Sequence, residues 1–253
     1  VILTWYLLTI NMTYLTPLLT KISATKQWFI DDTPQHFEGV VEDPHQFATW
    51  DELEQCMNSP ELFDIKLISK DDGDFIRLPM YERCWSRPTP SIYDIMGAFG
   101  DGHTCIIDNF DLFNQQKQDI LSQVEKYFTG KCALHLYAGL EEHRSFNIHE
   151  DPASNFIIQI EGETPWKVYN NRCSNIINDT EHNISQYPEL DVAVDVVLKP
   201  GDILYIPARS YHQAQPTGKR LSCSIPMQHM IPHLKTIDRE YVPIPRTSKT
   251  SNT

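Results

Sequence analysis

The residues His149 and Asp151 flank Glu150 just before an alternating apolar run that begins at Phe156. In an extended chain, residues i and i+2 point to the same side, so the imidazole of His149 and the carboxylate of Asp151 can bind one ion while Glu150 faces away. A His-x-Asp triplet is common, however, and by itself it is better interpreted as a solvated turn than as a metal site.

A second motif places a single histidine. The segment Lys199 to Pro207 combines a Pro-Gly turn with a buried apolar strand, and the turn that follows it leads to His212. An isolated histidine is more often a satisfied core residue than a ligand. Two histidines and one carboxylate on a β scaffold nevertheless form the facial triad, which leaves three positions of an octahedral ion open. We therefore predict that His149, Asp151 and His212 are both the metal ligands and the catalytic residues.

Other histidines are weaker candidates. His229 and His233 are four residues apart, but Pro232 disfavours a helix and no Glu follows His229, so they do not form a zinc-protease motif. His135 alternates with Tyr137 and is interpreted as a residue that supports the metal ligands.

The pattern of the second half predicts the elements that position these residues. After Gly130, short β-type runs alternate with Gly, Pro and Asn, which is typical of a sandwich or barrel. The predicted strands are 132–137, 156–160, 166–169, 192–198, 203–206 and 221–225.

The first half is more mixed and carries no recognisable catalytic motif. The patterns there predict a helix that starts over Trp50–Met57, a turn at Asp71–Asp74, a linker or loop over Arg87–Pro90 and a strand over Thr104–Ile107. A helix is predicted from Phe113 to Phe128, with Asn109 and Asp111 as capping candidates. We expect one domain in three segments: an N-terminal α/β elaboration (1–95), a barrel with flanking helices (96–228) and a C-terminal extension (229–253) with a disordered end.

Composition restricts the class of partner. The formal charge of −13 disfavours nucleic acid as a partner, whereas a basic peptide or protein is electrostatically acceptable. The six cysteines contain no Cys-x-x-Cys pair, which favours a reducing compartment, and we predict a cytoplasmic location. The apolar stretch Val1–Ile10 is too short to span a bilayer and lacks the basic region of a signal peptide, so a buried strand or helix is expected and no membrane.

From about Met96 to Ser224 the chain resembles the JmjC-type cupin oxygenases, in particular the ribosomal-oxygenase branch. The resemblance rests on the order, spacing and strand texture of four segments: His149 to Asp151, Phe156 to Glu163 leading into Trp166 to Tyr169, Lys199 to Pro207, and His212 to Ala214. It implies a mainly β fold, the double-stranded β-helix or jelly-roll cupin barrel. It also implies Fe(II), 2-oxoglutarate as cosubstrate, dioxygen, and hydroxylation of a side chain in a protein or peptide, with succinate and CO2 as co-products.

One position departs from that family. A Lys or Arg usually stands thirteen residues after the metal-binding Asp and pairs with the far carboxylate of 2-oxoglutarate. Here that position is Thr164, which supplies no charge but has a hydroxyl that can donate one hydrogen bond to the cosubstrate. Arg220 shares one predicted strand face with Ser222 and Ser224. With Ser222 it resembles the Arg-x-Ser carboxylate grip of the wider superfamily, and it is the predicted replacement. The alternative is a surface Arg after the Thr217-Gly218 turn.

Further interpretations stay open. Tyr137 stands where the family places a cosubstrate-contacting Tyr, although ordinary core packing explains it equally well. The presence of Asp151 favours hydroxylation, because halogenases of the superfamily lack this carboxylate.

The alternative function is a non-oxidative metal-binding cupin or a catalytically degenerate JmjC binding module, which Thr164 keeps open. About 40 residues follow His212, which is short for the C-terminal regions of ribosomal oxygenases, so a compact relative acting on a peptide or small metabolite is also an alternative.

Overall fold

The computed structural model describes residues 18–19, 21–22, 32–82, 87–128, 130–143, 146–173 and 189–228. The strands in these ranges are β1 (Gln35–Phe37), β2 (Asp64–Ile68), β3 (Met80–Tyr81), β4 (Thr89–Pro90), β5 (Thr104–Asp108), β6 (Lys131–Cys132), β7 (His135–Gly139), β8 (Ser154–Glu161), β9 (Thr164–Arg172), β10 (Val192–Leu198), β11 (Ile203–Ile206), β12 (Ser210–Ala214) and β13 (Arg220–Gln228). The helices are α1 (Trp50–Met57), α2 (Ile92–Gly100) and α3 (Gln115–Phe128), with 3-10 helices at Pro44–Gln46 and Phe110–Phe113.

Two antiparallel sheets face each other. The large sheet has the strand order β1-β11-β8-β13-β7-β5-β2, with β6 paired to β13, and the small sheet has the order β10-β9-β12. Apolar side chains from both sheets, among them Ile157 and Val168, form one cluster between them. This arrangement is the predicted double-stranded β-helix, and the fold is mainly β.

The main hydrophobic core lies on the outer face of the large sheet. Alternation along β13 sends Leu221, Cys223 and Ile225 to this face, where they join the cluster that also contains residues of α1, α2 and α3. Period-2 alternation thus leaves the residues between them for the inner face, toward the small sheet. The inner face is where the predicted site residues lie.

Local signals explain why helix α1 forms where it does. The Thr49 hydroxyl accepts from the N–H of Glu52, and the Glu52 carboxylate accepts from the N–H of Thr49, which makes a capping box. The buried Lys117 on α3 pairs with Glu52 at 3.0 Å and donates to the carbonyl of Gln46 at 2.9 Å. Helix α3 is therefore attached to the start of α1 by a charge pair that lies away from water.

Most predicted strands and helices are confirmed, and β10 and β11 have the predicted bounds. The prediction of one strand over 132–137 was wrong, because the chain breaks its pairing after Cys132 and resumes it at His135. The prediction of a loop at 87–90 was wrong in part, since Thr89 and Pro90 pair with β3.

The predicted caps of helix α3 were also wrong. Asn109 adopts a left-handed conformation with φ 53° and its side chain makes no cap bond, while the Asp111 carboxylate accepts from the N–H of Leu134 at 3.1 Å. The helix begins at Gln115, and the Asn114 side chain accepts from the N–H of Lys117 at 3.0 Å. The 3-10 helix Phe110–Phe113 lies between strand β5 and helix α3, so the α-helix begins later than predicted.

Several predictions concern parts of the chain outside the described residues, namely the apolar stretch 1–10, His229, His233 and the tail 246–253. The three-segment division stays a prediction, although β1 and β2 lie in the same sheet as the barrel strands. The five cysteines within the described ranges are free thiols. Among the described helices, none is long and apolar enough to cross a membrane.

Candidate metal centre

His149, Asp151 and His212 meet on the inner side of the barrel. One potential ligand atom from each residue lies within 4.8 Å of the other two. The Nε2 atom of His212 is 3.7 Å from Oδ2 of Asp151, and the two imidazole centroids are 4.3 Å apart. The structure therefore brings together three side chains that are up to 63 positions apart in the sequence.

Backbone pairing explains how two distant segments meet. The N–H of His212 donates to the carbonyl of His149 at 2.8 Å, and the N–H of His149 donates back to the carbonyl of His212 at 3.2 Å. The N–H of Arg209 donates to the carbonyl of Asp151 at 2.7 Å. The segment 149–151 thus pairs with the start of β12 as a short antiparallel ladder, which places His149 and His212 opposite each other.

The orientation of both imidazoles is fixed by backbone carbonyls. Nδ1 of His149 lies 2.8 Å from the carbonyl oxygen of Asn147, and Nδ1 of His212 lies 2.9 Å from that of Ser210. A carbonyl oxygen can only accept, so Nδ1 donates in each ring, and the neutral form of such a ring has its lone pair on Nε2. Neutral imidazoles with Nε2 available are the form that binds metal ions. The sequence contained no sign of these two carbonyl partners.

The carboxylate of Asp151 is held by a residue that sequence analysis missed. The side-chain amide of Asn155 donates to Oδ2 of Asp151 at 3.0 Å, and the hydroxyl of Ser224 donates to Oδ1 of Asn155 at 2.7 Å. This chain of hydrogen bonds connects the ligand-bearing segment to β13, at the centre of the large sheet. An Asn four residues after Asp151, at the start of an apolar strand, was the available signal.

All seven predicted site residues line one inner cavity: Tyr137, His149, Asp151, Thr164, His212, Arg220 and Ser222. Ser224 lines it as well, as the shared strand face of β13 predicts. Trp166, which sequence analysis had placed only as part of a strand, also lines this cavity. Its indole ring stacks against the imidazole of His212, with centroids 6.1 Å apart and planes 28° apart.

Arg220 is a buried residue on the wall of this cavity. The residue is 3% exposed, which excludes the surface interpretation. Its Nη2 donates to the hydroxyl of Thr104 at 2.7 Å, and its Nη1 donates to the carbonyl of Glu141 at 3.4 Å. Burial lowers the pKa of the guanidinium to about 10, so the group is still protonated at neutral pH.

A glycine on the neighbouring strand makes room for this guanidinium. Gly139 pairs with Arg220 in the sheet, and a Cβ atom at position 139 would lie 2.2 Å from Nη1 of Arg220. Any other residue at this position would clash with the guanidinium. The absence of a side chain at Gly139 therefore allows the guanidinium of Arg220 to occupy its position.

Two polar atoms on the cavity wall lack a protein partner among the described residues. They are the hydroxyl oxygen of Thr164 and Nε1 of Trp166, both buried. A buried polar atom without a hydrogen bond costs about 1–3 kcal/mol, so a native site usually provides a ligand or a water for it. Together with the two imidazoles, the carboxylate and the buried cation, these atoms fit a metal ion and an anionic ligand.

Tyr137 faces the same cavity from β7. Burial, with the carboxylates of Asp151 and Asp108 adding to it, raises the pKa of the Tyr137 phenol well above its usual value. The phenol therefore keeps its proton at neutral pH and can donate a hydrogen bond to an acceptor in the cavity.

A wider cavity of about 420 Å³ continues outward from the triad. It shares Tyr137, Phe146, His149 and Asp151 with the inner cavity, and its outer wall comes from the first half of the chain: Lys66, Asp74, Phe75 and Asp108. The ring of Phe75 is exposed and contacts that of Phe146 edge to face, with centroids 6.0 Å apart. Sequence analysis found no function for this wall, because its residues follow no motif.

His135 lies with this outer wall rather than against the metal ligands. Its Nδ1 is 2.6 Å from Oδ1 of Asp108, and Lys66 pairs with the other oxygen of that carboxylate. Burial acts to raise the pKa of Asp108, but the hydrogen bonds from His135 and Lys66 outweigh it and hold that pKa below its usual value. The described contacts of His135 thus connect it to the wall of the outer cavity.

Comparison with known proteins agrees with this geometry. Residues 108–233, about half of the chain, match the family described as "JmjC domain". The chain is 28% identical over 123 residues to ribosomal oxygenase 1 of Danio rerio, covering 48% of this chain and 23% of that protein. It is 30% identical over 99 residues to the bifunctional lysine-specific demethylase and histidyl-hydroxylase NO66 of Drosophila persimilis, covering 39% of this chain and 14% of that protein.

Solved structures show the same fold. The structure of YcfD, a ribosomal oxygenase from Escherichia coli, in complex with cobalt and 2-oxoglutarate matches 90% of this chain and 62% of that chain, with a TM-score of 0.55 and 16% identity. At this identity the match concerns the fold alone. The chain spans less than a quarter of the length of the two curated relatives described above and about three fifths of the length of the bacterial enzyme.

Proposed function

Because the chain belongs to the JmjC domain family, we propose that it is an Fe(II)- and 2-oxoglutarate-dependent oxygenase that hydroxylates a side chain in a protein or peptide. The observation that carries this proposal is the convergence of His149, Asp151 and His212, with Nδ1 of both imidazoles held by a backbone carbonyl and all three residues on a cavity wall. Two histidines and one carboxylate, with the remaining positions facing a cavity, are the ligand set of non-haem Fe(II) oxygenases.

When bound, Fe(II) together with 2-oxoglutarate and dioxygen supplies the oxidising power, and the products are a hydroxylated substrate, succinate and CO2. The protein supplies position. The carbonyls of Asn147 and Ser210 hold the imidazoles of His149 and His212, and Asn155 holds the carboxylate of Asp151. The ligands are thus oriented before the ion arrives, which lowers the reorganisation that binding requires.

The far carboxylate of 2-oxoglutarate is proposed to bind Arg220. The guanidinium is buried on the cavity wall and protonated, and a planar fork of N–H donors matches a carboxylate. The hydroxyl of Thr164, buried on the same wall, would donate one further hydrogen bond. Tyr137 and Ser222 line the same space and can donate as well. The cation that the family usually places at position 164 is then supplied by β13.

The substrate side chain is proposed to enter through the wider outer cavity. This cavity reaches His149 and Asp151 from outside, and its exposed Phe75 offers an apolar contact for a polypeptide. The ring of Phe146 contacts that of His149, with centroids 5.0 Å apart, and lines both cavities. Exclusion of water at this point would protect the reaction from unproductive turnover.

One observation favours a second candidate, a non-oxidative metal-binding cupin or a JmjC module without chemistry. This observation is the absence of a cation at position 164, because a carboxylate cosubstrate needs a counter-charge. If Arg220 does not provide this counter-charge, we expect 2-oxoglutarate to bind weakly in the cavity.

Succinate formation distinguishes the two candidates. Purified protein is incubated with Fe(II), 2-oxoglutarate and air, and succinate is measured with and without a pool of basic peptides. The proposal expects metal-dependent succinate that is abolished in Asp151→Ala and unchanged in Asp195→Ala, an exposed aspartate on β10. Tight zinc binding with no succinate and no 2-oxoglutarate binding would instead support the second candidate.

A further inference from the structure

An ion pair joins the two ligand-bearing segments on the side away from the inner cavity. Glu150 lies between two of the metal ligands, and its Oε1 is 3.3 Å from Nη1 of Arg209, three residues before His212. The side chains of Glu150 and Arg209 are 5% and 21% exposed. Alternation explains the arrangement: as His149 and Asp151 point into the cavity, Glu150 must point behind it, where it meets Arg209.

The backbone of Arg209 is in an unfavourable conformation. Its φ is +67°, in the left-handed region that favours glycine, and among the described residues other than glycine only Asp32 and Asn109 share a positive φ. A long side chain at such a position costs free energy, and residues kept there commonly mark functional sites. Glycine would be the lower-energy choice for the turn, so the side chain of Arg209 must provide something that glycine cannot.

Arg209 is fixed at both its backbone and its side chain. Its N–H donates to the carbonyl of Asp151 at 2.7 Å, and its carbonyl accepts from the N–H of Cys173 at 2.9 Å. Its Nη2 is 3.1 Å from the Sγ atom of Cys173, while Nη1 pairs with Glu150. One residue therefore contacts three segments: 149–151, the end of β9 and the start of β12.

A separate small apolar cluster includes Cys173, whose sulfur contacts Arg209. Tyr169, Cys173 and Tyr211 are its buried members, and Ile148 and Leu190 pack against it. Ile148 and Tyr211 are direct chain neighbours of His149 and His212. In such a poorly solvated environment a charge pair is strong if its geometry is good, and the loss of one partner is costly.

We propose that Arg209 is a positioning residue for the metal: its ion pair with Glu150 holds the segment of His149 and Asp151 in register with His212. This inference rests on the proposed function, since it presumes that the triad binds a divalent ion. The physical reason is the small tolerance of a metal site, in which ligand distances are fixed to about 0.2 Å. The two ligand segments come from distant parts of the chain, so a direct connection between them improves the preorganisation of the site.

The test uses cobalt(II) as a probe of the site, with its visible absorption bands as the readout of affinity and coordination geometry. Arg209→Gly removes the ion pair and relieves the backbone strain. We expect it to weaken cobalt binding by about ten-fold or more, with a changed spectrum, because residues that support metal ligands have effects of 10- to 100-fold. Arg209→Lys should restore part of the affinity, since it keeps the charge but not the fork. Asn109→Gly relieves a left-handed residue far from the triad in the sequence and should leave binding unchanged.

The outcomes separate the two proposals. If the wild-type protein does not bind cobalt(II), the proposed function fails. If the wild type binds it and folded Arg209→Gly binds it with the same affinity and spectrum, the role of Arg209 is overturned while the proposed function stands. Should Arg209→Gly not fold, the double variant Glu150→Met with Arg209→Met replaces the pair by apolar side chains, which often preserves stability. Weakened cobalt binding in this variant supports the proposal, and wild-type binding refutes it.

Discussion

On strand β13, Leu221, Cys223 and Ile225 point to the outer face of the large sheet, and Arg220, Ser222 and Ser224 point to the inner face. Burial does not distinguish the two sets, because Ile225 and Arg220 are both 3% exposed. Chemistry does distinguish them: the outer face packs on three helices, while the inner face presents a guanidinium and hydroxyls to a cavity. The same strand therefore serves the core on one side and a polar site on the other.

The two faces of β13 contribute differently to the free energy of folding. Burial of apolar surface stabilises the fold by about 25 cal/mol per Å². Burial of a guanidinium or a hydroxyl lowers stability unless hydrogen bonds compensate. The buried hydroxyl of Thr164 has no protein partner among the described residues, so it is best explained by a ligand or a water that it binds. Four predictions test this division of labour, in order of decreasing effect.

The largest expected effect is on the outer face. Leu136 on β7 is fully buried there, and its neighbour Tyr137 faces the inner cavity. Leu136→Ala should lower the free energy of unfolding by about 2–5 kcal/mol through lost burial and a cavity, while cobalt(II) affinity of the folded protein stays unchanged. Tyr137→Phe should do the reverse, with a small change in stability and a higher requirement for 2-oxoglutarate. Stability is measured by urea denaturation, cobalt(II) affinity by titration, and the 2-oxoglutarate requirement by succinate formation. Equal changes in these quantities for Leu136→Ala and Tyr137→Phe would contradict the distinction between the two faces.

The second prediction concerns the buried cation of the inner face. Arg220→Ala should raise the 2-oxoglutarate concentration for half-maximal succinate formation by about 30-fold or more, because truncation of a buried charged partner costs about 2 kcal/mol or more. Lys219→Ala, at the adjacent position whose ammonium lies over the ring of Trp50, is the matched control and should have no effect. Equal 2-oxoglutarate requirements for all three proteins would show that Arg220 does not bind the cosubstrate.

The third prediction moves Arg220 without mutating it. In Gly139→Ala the new methyl group would lie 2.2 Å from Nη1 of Arg220, so the guanidinium must shift. We expect the 2-oxoglutarate concentration for half-maximal succinate formation to rise by about ten-fold, because a charge-assisted contact is partly lost. Gly97→Ala in helix α2, where no described atom outside the local helix backbone lies within 4 Å of the added methyl group, should leave this affinity unchanged. A cosubstrate affinity unaffected by Gly139→Ala would place the carboxylate elsewhere.

The smallest effect is expected at the outer cavity. Asp108 has a lowered pKa in the folded protein, because His135 and Lys66 stabilise its charge against the opposing effect of burial. Its contribution to stability is therefore present above the pKa of the unfolded chain and is lost as the pH falls through the lower folded value. Asp108→Asn should show a shallower loss of stability in acid. Unfolding curves between neutral pH and pH 3 that are parallel for both proteins would contradict this.

Strand alternation made much of the fold and the site predictable from sequence. The apolar runs at 192–198 and 203–206 have the predicted bounds, and a proline follows the end of each within two residues. The same alternation predicted that Arg220, Ser222 and Ser224 share a face, and they do. Where local pattern and tertiary position coincide, a single sequence is sufficient.

The missed features depend on contacts between distant segments. Asn155 supports Asp151 through its amide, and Phe75 and Asp108 reach the cavity only because β2 and β5 extend the large sheet. No local pattern records such contacts. The left-handed Arg209 was missed for another reason, since left-handed positions are predicted from glycine or asparagine and an arginine gives no such signal.

The central claim is that three side chains bind one divalent ion on the inner face of the barrel. Crystals grown with cobalt(II) and 2-oxoglutarate would test it by anomalous diffraction at the cobalt edge. We expect one strong peak at bonding distance, about 2.0–2.2 Å, from Nε2 of His149, Nε2 of His212 and the carboxylate of Asp151, with the far carboxylate of 2-oxoglutarate on Arg220. A peak bound by other residues, or none between these three, would contradict the account.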